Sequence, residues 1–187
     1  MRIIGGARRG LKLADVGAGD ASAHLRPTSN RVRESIFNLL INGRHGNPVP
    51  GARVLDLFAG SGALGFEALS RGAARVAFVD DGAAAQALLR RNIDLMRATD
   101  TTEVWFRDAC KLGLNRGAPH DLVFLDPPYG KGLGEQALAA CIAGGWVAPG
   151  ATVVWEEAAA PALPEGFALL EQRSYGGTVI TLLRAPG

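Results

Sequence analysis

From residue 53 onward, short apolar runs alternate with segments in which apolar residues recur every three or four positions. Short apolar runs that end at Gly or Asp are typical of buried strands, and the longer period is typical of helices. The pattern predicts strands over 53–57, 75–80, 102–107, 121–126, 151–156, 167–173 and 178–184. It predicts helices over 61–71, 82–98 and 133–143, and a short helical turn after Asp108.

This alternation predicts an α/β fold of the Rossmann-like type, in which a mostly parallel sheet is covered by helices on both faces. Right-handed crossovers place the ligand site of such a sheet at the carboxyl ends of its strands. Polar residues that directly follow the predicted strands are therefore the first candidates for chemistry.

The first 50 residues have a different pattern. Residues 1–13 alternate apolar and basic positions around glycines, which predicts a small hairpin or arm, and 14–28 form a loop. A helix over 29–42 follows, capped by Ser29 or Asn30. Its apolar face consists of Val32, Ile36, Leu39 and Leu40. Prolines after residue 43 break the chain, so we expect a basic N-terminal extension of residues 1–50 and a core of residues 51–187.

Charge indicates a partner for this extension. Residues 1–44 carry a net charge of +5, whereas the remainder carries −3. A basic segment on a mildly acidic body is typical of an arm that binds nucleic acid, although basic termini are also common without a partner. The candidate contacts are Arg8, Arg9, Arg26, Arg31 and Arg33.

Composition narrows the class of protein. The hydrophobic fraction of 48% is enough for one sizeable core, but there is no apolar run of about 18 residues and no apolar signal region near Met1. Cys110 and Cys141 lack the spacing of a disulfide framework or a metal site. We expect a cytosolic, reduced protein with no membrane association and no metal.

The motif Asp126-Pro127-Pro128-Tyr129 follows the apolar run 122–125. The carboxylate and the carbonyls of the turn can accept hydrogen bonds from a planar exocyclic amine, and the aromatic ring can stack on the heterocycle that carries it. Such a turn indicates methyl transfer to a nucleobase amine by positioning and electrostatics, on a single-stranded or extruded base. A plain strand-ending turn is the alternative.

A second motif ends the first core strand and opens the next helix. Its candidate ligand contacts are Asp56, Phe58, Ala59, Gly60, Ser61 and Gly62. The glycines permit a tight turn and a close approach of ligand to backbone. The Asp56 carboxylate suits an ammonium group and would repel a pyrophosphate.

Acids also end the next two strands. Asp80, or its neighbour Asp81, can hold both hydroxyls of a ribose, and Asp108, followed by Ala109, can accept a hydrogen bond from an adenine amine. Together with Asp56, these acids fit a ligand with an amino-acid tail, a ribose and an adenine, which is S-adenosylmethionine.

The rival cofactor is NAD. The run 60–65 matches the dinucleotide pattern G-x-G-x-x-G and, taken alone, favours NAD. Asp56 and the Asp126 turn favour S-adenosylmethionine instead, because hydride transfer has no evident need for that turn.

On these motifs the chain resembles the RsmD family of bacterial 16S ribosomal RNA guanine-N2 methyltransferases, from its first residues to about residue 184. The shared landmarks are Met1–Gly6, Leu25–Thr28, Arg31–Glu34, Leu55–Gly65, Asp126–Tyr129 and Gly144–Trp146. The cofactor loop and the Asp126 turn are shared by many amino-methyltransferases. The landmarks in the first 50 residues are more specific to the family.

The resemblance implies a seven-stranded methyltransferase fold with an antiparallel last hairpin. It implies methylation of one guanine of 16S rRNA, in an assembled or partly assembled small ribosomal subunit, and we expect a monomeric enzyme. The carried-over residues are Asp56, Gly60 and Gly62 for the cofactor loop, Asp80 for the ribose, Asp108 for the adenine, Asp126 to Tyr129 for catalysis, and Arg26, Arg31 and Arg33 for RNA. The family often has Glu where Asp80 stands, which leaves the choice between Asp80 and Asp81 open.

Two other functions compete. A DNA or other RNA adenine-N6 methyltransferase could use the same turn, although DNA enzymes usually add a target-recognition region for which this chain has no spare length beyond its first 50 residues. An RNA-binding or ribosome-assembly factor could bind the cofactor without turnover, but the intact Asp126 turn argues against it.

Overall fold

The computed structural model describes residues 1–15 and 30–187. The strands are β1 (Arg53–Leu57), β2 (Arg75–Asp80), β3 (Thr102–Phe106), β4 (His120–Leu125), β5 (Val147–Glu157), β6 (Ala168–Tyr175) and β7 (Thr178–Arg184). The helices are α1 (Asn30–Asn42), α2 (Ala63–Ser70), α3 (Ala83–Met96) and α4 (Leu133–Ala143). Short 3-10 turns lie at Gly6–Arg8, Thr99–Thr101 and Ala109–Lys111. Within this described part, no helix is both long enough and apolar enough to cross a membrane.

The strands form one sheet in the order β3-β2-β1-β4-β5-β7-β6. Strands β1 to β5 are parallel, and β7 runs antiparallel to both β5 and β6. Because Leu57 pairs with Leu125 and also with Val79, β1, β2 and β4 end side by side. We call this side of the sheet the carboxyl edge. The predicted Rossmann-like methyltransferase fold, with seven strands and an antiparallel last hairpin, is confirmed.

Alternation along the strands sorts the apolar side chains into two cores, one on each face of the sheet. One core contains Phe66 of α2, Leu89 of α3 and Phe124 of β4, and it also takes in α1 and the first residues of the chain. The other core contains Leu138 of α4 and Trp155 of β5. Helices therefore cover both faces, as the sequence predicts.

The N-terminal extension packs directly on the first of these cores. Residues 1–13 form a hairpin in which Ile3 N–H donates to the Leu11 carbonyl at 3.0 Å and Leu13 N–H donates to the Met1 carbonyl at 3.0 Å. Ile3 and Leu13 are buried in the core. The first 15 residues and α1 thus share one hydrophobic core with the sheet.

Helix α1 begins at Asn30, close to the predicted start, and Ser29 lies outside the described residues. Its buried stripe consists of Arg33, Ile36, Phe37 and Leu40. Val32 and Leu39, which the sequence placed on the apolar face, are half-buried at the margin of this stripe.

Candidate functional site

The loop between β1 and α2 is a tight turn that only glycine fits at one position. Gly62 has a φ of +79°, and a Cβ there would lie 2.4 Å from a ring carbon of Phe66. Gly65, in the first turn of α2, lies against β2, where a Cβ would come within 2.4 Å of Phe78. Phe58 also has a positive φ of 58°, which is unusual for a residue with a side chain. The loop backbone is therefore held in a strained, compact form at the carboxyl edge, as ligand-binding loops often are.

Asp56 lies beneath this loop rather than on it. Its side chain is 2% exposed, and Oδ2 accepts a hydrogen bond from Gly65 N–H at 2.9 Å. Burial raises the pKa of Asp56 to about 8, and the charge of Asp80 adds to the rise. A cationic group placed beside this carboxyl would oppose both effects and favour its ionised form. Asp56 therefore fits the ammonium end of an amino-acid ligand.

Asp80 ties the loop to the end of β2. Its Oδ2 accepts from Gly60 N–H at 2.8 Å and its Oδ1 from Gly82 N–H at 2.8 Å. Burial raises the pKa of Asp80, and the two backbone bonds partly oppose that rise. Each oxygen keeps a further lone pair, so the carboxylate can still accept from ribose hydroxyls. Asp81 is exposed, whereas two backbone hydrogen bonds fix the Asp80 carboxylate, so Asp80 is the stronger candidate.

Asp108 follows β3 and opens the 3-10 turn that contains Ala109. Its Oδ1 accepts from Cys110 N–H at 2.8 Å, and its Oδ2 lies 3.7 Å from Lys111 Nζ. Ala109 is buried, whereas the Asp108 side chain is 41% exposed. The carboxylate is thus accessible at the same edge as Asp80, where an adenine amine could meet it.

The Asp126 turn begins next to the cofactor loop. Since Leu57 pairs with Leu125, Phe58 and Asp126 follow adjacent strands, about 4.8 Å apart in the direction of strand pairing. Pro127 is buried, and Pro128 is exposed. The predicted catalytic turn and the predicted cofactor loop are therefore neighbours at one edge.

The end of β5 anchors this turn from the other side. Tyr129 Oη donates to Glu156 Oε1 at 2.8 Å and lies 3.2 Å from Thr178 Oγ1. One residue later, Gly130 N–H donates to Glu157 Oε1 at 3.1 Å. Burial raises the pKa of both Tyr129 and Glu156, so the phenol keeps its proton and acts as the donor. Sequence reasoning missed these anchors, because a Glu at the end of an apolar strand gives little signal by itself.

The prediction that Arg33 contacts RNA is wrong. Arg33 is 0% exposed, and its guanidinium faces the fully buried Glu67 of α2, with Nε 3.7 Å from Oε2. It also donates to the Arg2 carbonyl and to Asn30 Oδ1. A phosphate cannot reach this group, because Arg33 is part of the core that holds the extension. Arg33 lies three and four residues before Ile36 and Phe37, which places it on the buried stripe of the helix. This spacing is the sequence signal that indicates burial.

The exposed arginine candidates in the described part of the chain lie near the two ends of α2. Arg33 faces Glu67 and the Arg71 guanidinium lies over the Phe37 ring, so α1 and α2 run in the same direction. The exposed Arg31, in the first turn of α1, is therefore level with the start of α2 at the carboxyl edge.

Arg8 and Arg9 are exposed, but they lie at the opposite end of α2, because Arg8 N–H donates to Ser70 Oγ at 2.9 Å. Eight helical residues separate the two ends by about 12 Å. Arg26 lies outside the described residues. Of the described candidates, Arg31 is therefore the one that we place at the carboxyl edge.

Asn92, which the sequence did not single out, joins the N-terminal extension to the cofactor loop. Asn92 of α3 is fully buried, and its Nδ2 donates to the Ser61 carbonyl at 2.9 Å and to the Ala14 carbonyl at 3.0 Å. Its Oδ1 accepts from Ala14 N–H at 2.7 Å. The side chain therefore fixes both the cofactor loop and the backbone at Ala14, directly after the N-terminal hairpin.

Comparison with known proteins agrees with this architecture. A family model described as Conserved hypothetical protein 95 matches residues 1–184. The Ribosomal RNA small subunit methyltransferase D of Escherichia coli (strain K12) is 37% identical over 179 residues, which cover 94% of this chain and 85% of that protein. The protein of the same name from Haemophilus influenzae is 37% identical over 181 residues, which cover 94% of this chain and 89% of that protein.

A solved structure described as a putative methyltransferase yhhF from Escherichia coli has the same fold. It superimposes with a TM-score of 0.82 at 34% sequence identity, and the match covers 100% of this chain and 98% of that one.

Proposed function

The chain belongs to the family described as Conserved hypothetical protein 95, the RsmD family, and from that membership we propose that it transfers a methyl group from S-adenosylmethionine to the exocyclic N2 amine of a guanine in 16S ribosomal RNA. The observation that carries the proposal is the adjacency of two groups at the carboxyl edge. The loop after β1 suits a cofactor, and the Asp126 turn, on the neighbouring strand, suits a planar amine.

S-adenosylmethionine is the cofactor, and the residues of this edge fit it. We assign Asp56 to its ammonium group, Asp80 to its ribose and Asp108 to its adenine. Gly62 and Gly65 pack against Phe66 and Phe78, which keeps the turn between β1 and α2 tight. When bound, the cofactor supplies an electrophilic methyl group on a sulfonium.

The chain's own groups prepare the nucleophile. The lone pair of a guanine N2 amine is delocalised into the ring, so the amine is a weak nucleophile. The Asp126 carboxylate and the Pro127 carbonyl accept its two hydrogens, orient the nitrogen and favour a more pyramidal geometry. Tyr129 stacks on the base. Asp126 need not be a strong base, because the amine proton becomes acidic once the methyl group is transferred.

The RNA partner follows from the family and from charge. Relatives named Ribosomal RNA small subunit methyltransferase D match over most of their length, and the exposed Arg31 lies at the edge where the base must enter. We expect the substrate to be 16S rRNA in an assembled or assembling small subunit, and the enzyme to act as a monomer. Arg8 and Arg9 are distant enough to contact a neighbouring part of a large RNA.

The test uses labelled S-adenosylmethionine with small subunits from cells that lack the gene, and genomic DNA in parallel. The proposal predicts incorporation into 16S rRNA with the wild-type protein and none into DNA. An Asp126→Ala variant, with cofactor binding checked by calorimetry, controls for contaminating activity. Incorporation into DNA but not into rRNA would favour the adenine-N6 alternative and reject this function.

A further inference from the structure

One carboxylate oxygen of Glu156 lacks a hydrogen-bond donor within the described part of the chain. The side chain lies at the end of β5 and is 4% exposed. Its Oε1 accepts from Tyr129, but its Oε2 is buried and has no hydrogen-bond partner among the described residues. A buried acceptor without a donor costs free energy, and native structures seldom leave one without a reason. A ligand donor is one such reason.

The position of Glu156 relates it to the base site. Trp155 pairs with Leu125, so Glu156 stands beside Asp126, one strand spacing or about 4.8 Å away. Val154 belongs to one core and Trp155 to the other, so strand alternation puts Glu156 on the face of the first core. Asp126 directly follows the paired Leu125, and both carboxylates act electrostatically on Tyr129. Glu156 and Asp126 therefore lie near each other, beside the turn proposed to hold the amine.

We propose that Glu156 is a specificity-determining residue whose Oε2 accepts the N1–H of the target guanine. The inference rests on the proposed guanine-N2 function and deepens it. Guanine presents two neighbouring donors on its Watson–Crick edge, the N2 amine and N1–H. Asp126 and Glu156 offer neighbouring acceptors for them. Adenine presents a lone pair at N1, which would face the Glu156 carboxylate and be repelled.

Tyr129 determines which oxygen faces the base. Its hydroxyl, held also by Thr178, occupies Oε1 and leaves Oε2 for the substrate. Because Oε2 is out of contact with solvent, the base must displace protein atoms to reach it. The Tyr129 hydroxyl donates to this carboxylate, and its ring would stack on the base, so we expect the ring to adjust as the base enters.

The test compares guanine with 2-aminopurine at the target position of 16S rRNA in reconstituted small subunits, the form of substrate that the proposed function expects. 2-Aminopurine keeps the N2 amine but has no hydrogen on N1. A good base-edge contact is worth about 1–3 kcal/mol, so the wild-type protein should prefer guanine by roughly 5- to 150-fold in kcat/KM. Equal rates on the two bases would overturn the proposal before any variant is made.

The decisive variant is Glu156→Gln. Since Tyr129 holds the side-chain oxygen, the amide NH2 occupies the place of Oε2, where it opposes guanine N1–H and can donate to N1 of 2-aminopurine. The preference for guanine should fall at least tenfold. Glu156→Met, which removes both oxygens at similar volume, should bring the ratio to about one and serves if the Gln variant misfolds.

Two controls separate specificity from anchoring. Tyr129→Phe removes the hydroxyl and keeps the ring, so it should slow both bases together and leave the ratio high. Glu165→Gln makes the same chemical change at an exposed loop position and should keep the wild-type ratio. If Glu156 variants slow both bases equally, Glu156 only anchors Tyr129 and the specificity role is rejected. If the wild-type protein methylates neither base, the proposed function itself fails.

Discussion

Glu67 is the residue on which the attachment of the N-terminal extension depends most. Its fully buried carboxylate accepts from Ile4 N–H at 2.8 Å, from Gly5 N–H at 2.8 Å and from Arg71 Nε at 2.7 Å, and it faces Arg33. Replacing Glu67 by Gln keeps the volume but removes the charge. The variant leaves the buried guanidinium of Arg33 without a counter-charge and turns an NH2 group toward backbone donors.

Breaking a buried ion pair on one side costs about 3–5 kcal/mol. A domain of this size loses about 2–4 °C of Tm for each kcal/mol, so Glu67→Gln should melt roughly 6–20 °C below the wild-type protein. Circular dichroism during heating and urea unfolding measure the change. Glu34→Gln, at an exposed position of α1, is the matched control and should shift the Tm by less than about 2 °C.

The double variant Glu67→Gln/Arg33→Met sharpens this test. Removing both charges takes away the uncompensated cation, so the double variant should be more stable than Glu67→Gln alone. A Glu67→Gln protein that melts within about 2 °C of wild type would refute the buried ion pair as the attachment of the extension.

Three further predictions concern the site. Asp126→Ala should reduce methyl transfer at least a thousandfold while calorimetry shows nearly unchanged S-adenosylmethionine affinity; retained transfer would remove its catalytic role. Arg31→Ala should weaken RNA binding and reduce the salt slope of log K by about one, whereas Arg90→Ala, exposed on α3, should leave that slope unchanged in filter-binding titrations. Since burial raises the pKa of Asp56 to about 8, its proton stabilises the fold at low pH, and this contribution is lost as the pH rises from about 4 to about 8. Urea unfolding should therefore show that Asp56→Asn gains stability relative to wild type between pH 5 and pH 9, and a constant difference would contradict the raised pKa.

Local sequence was sufficient for the bounds of the first two strands. The strands at Arg53–Leu57 and Arg75–Asp80 match their predicted bounds, because each is an apolar run that ends directly at a turn or an acid. Two bounds moved for backbone reasons. Helix α2 starts at Ala63 rather than 61 because Gly62 is left-handed, and β5 starts at Val147 rather than 151, with a register shift opposite His120 in the pairing with β4.

The polar residues inside the fold could not be predicted in the same way. Arg33 was predicted to contact RNA because the sequence does not show its partner. That partner, Glu67, lies in a different helix, 34 residues further along the chain. Asn92 and Glu156 each bond to groups in distant segments, and neither sits in a recognisable motif. Motif spacing predicts which residues meet the ligands, whereas the residues that hold the motifs in place depend on contacts that only the folded chain brings together.

The most direct test of the central claim is the chemical identity of the methylated nucleoside. Small subunits from cells lacking the gene are treated with the purified protein and S-adenosylmethionine, and the 16S rRNA is digested and analysed by mass spectrometry. The proposed function predicts N2-methylguanosine at one position, absent from a reaction with Asp126→Ala. N6-methyladenosine, or no new methylated nucleoside, would contradict it.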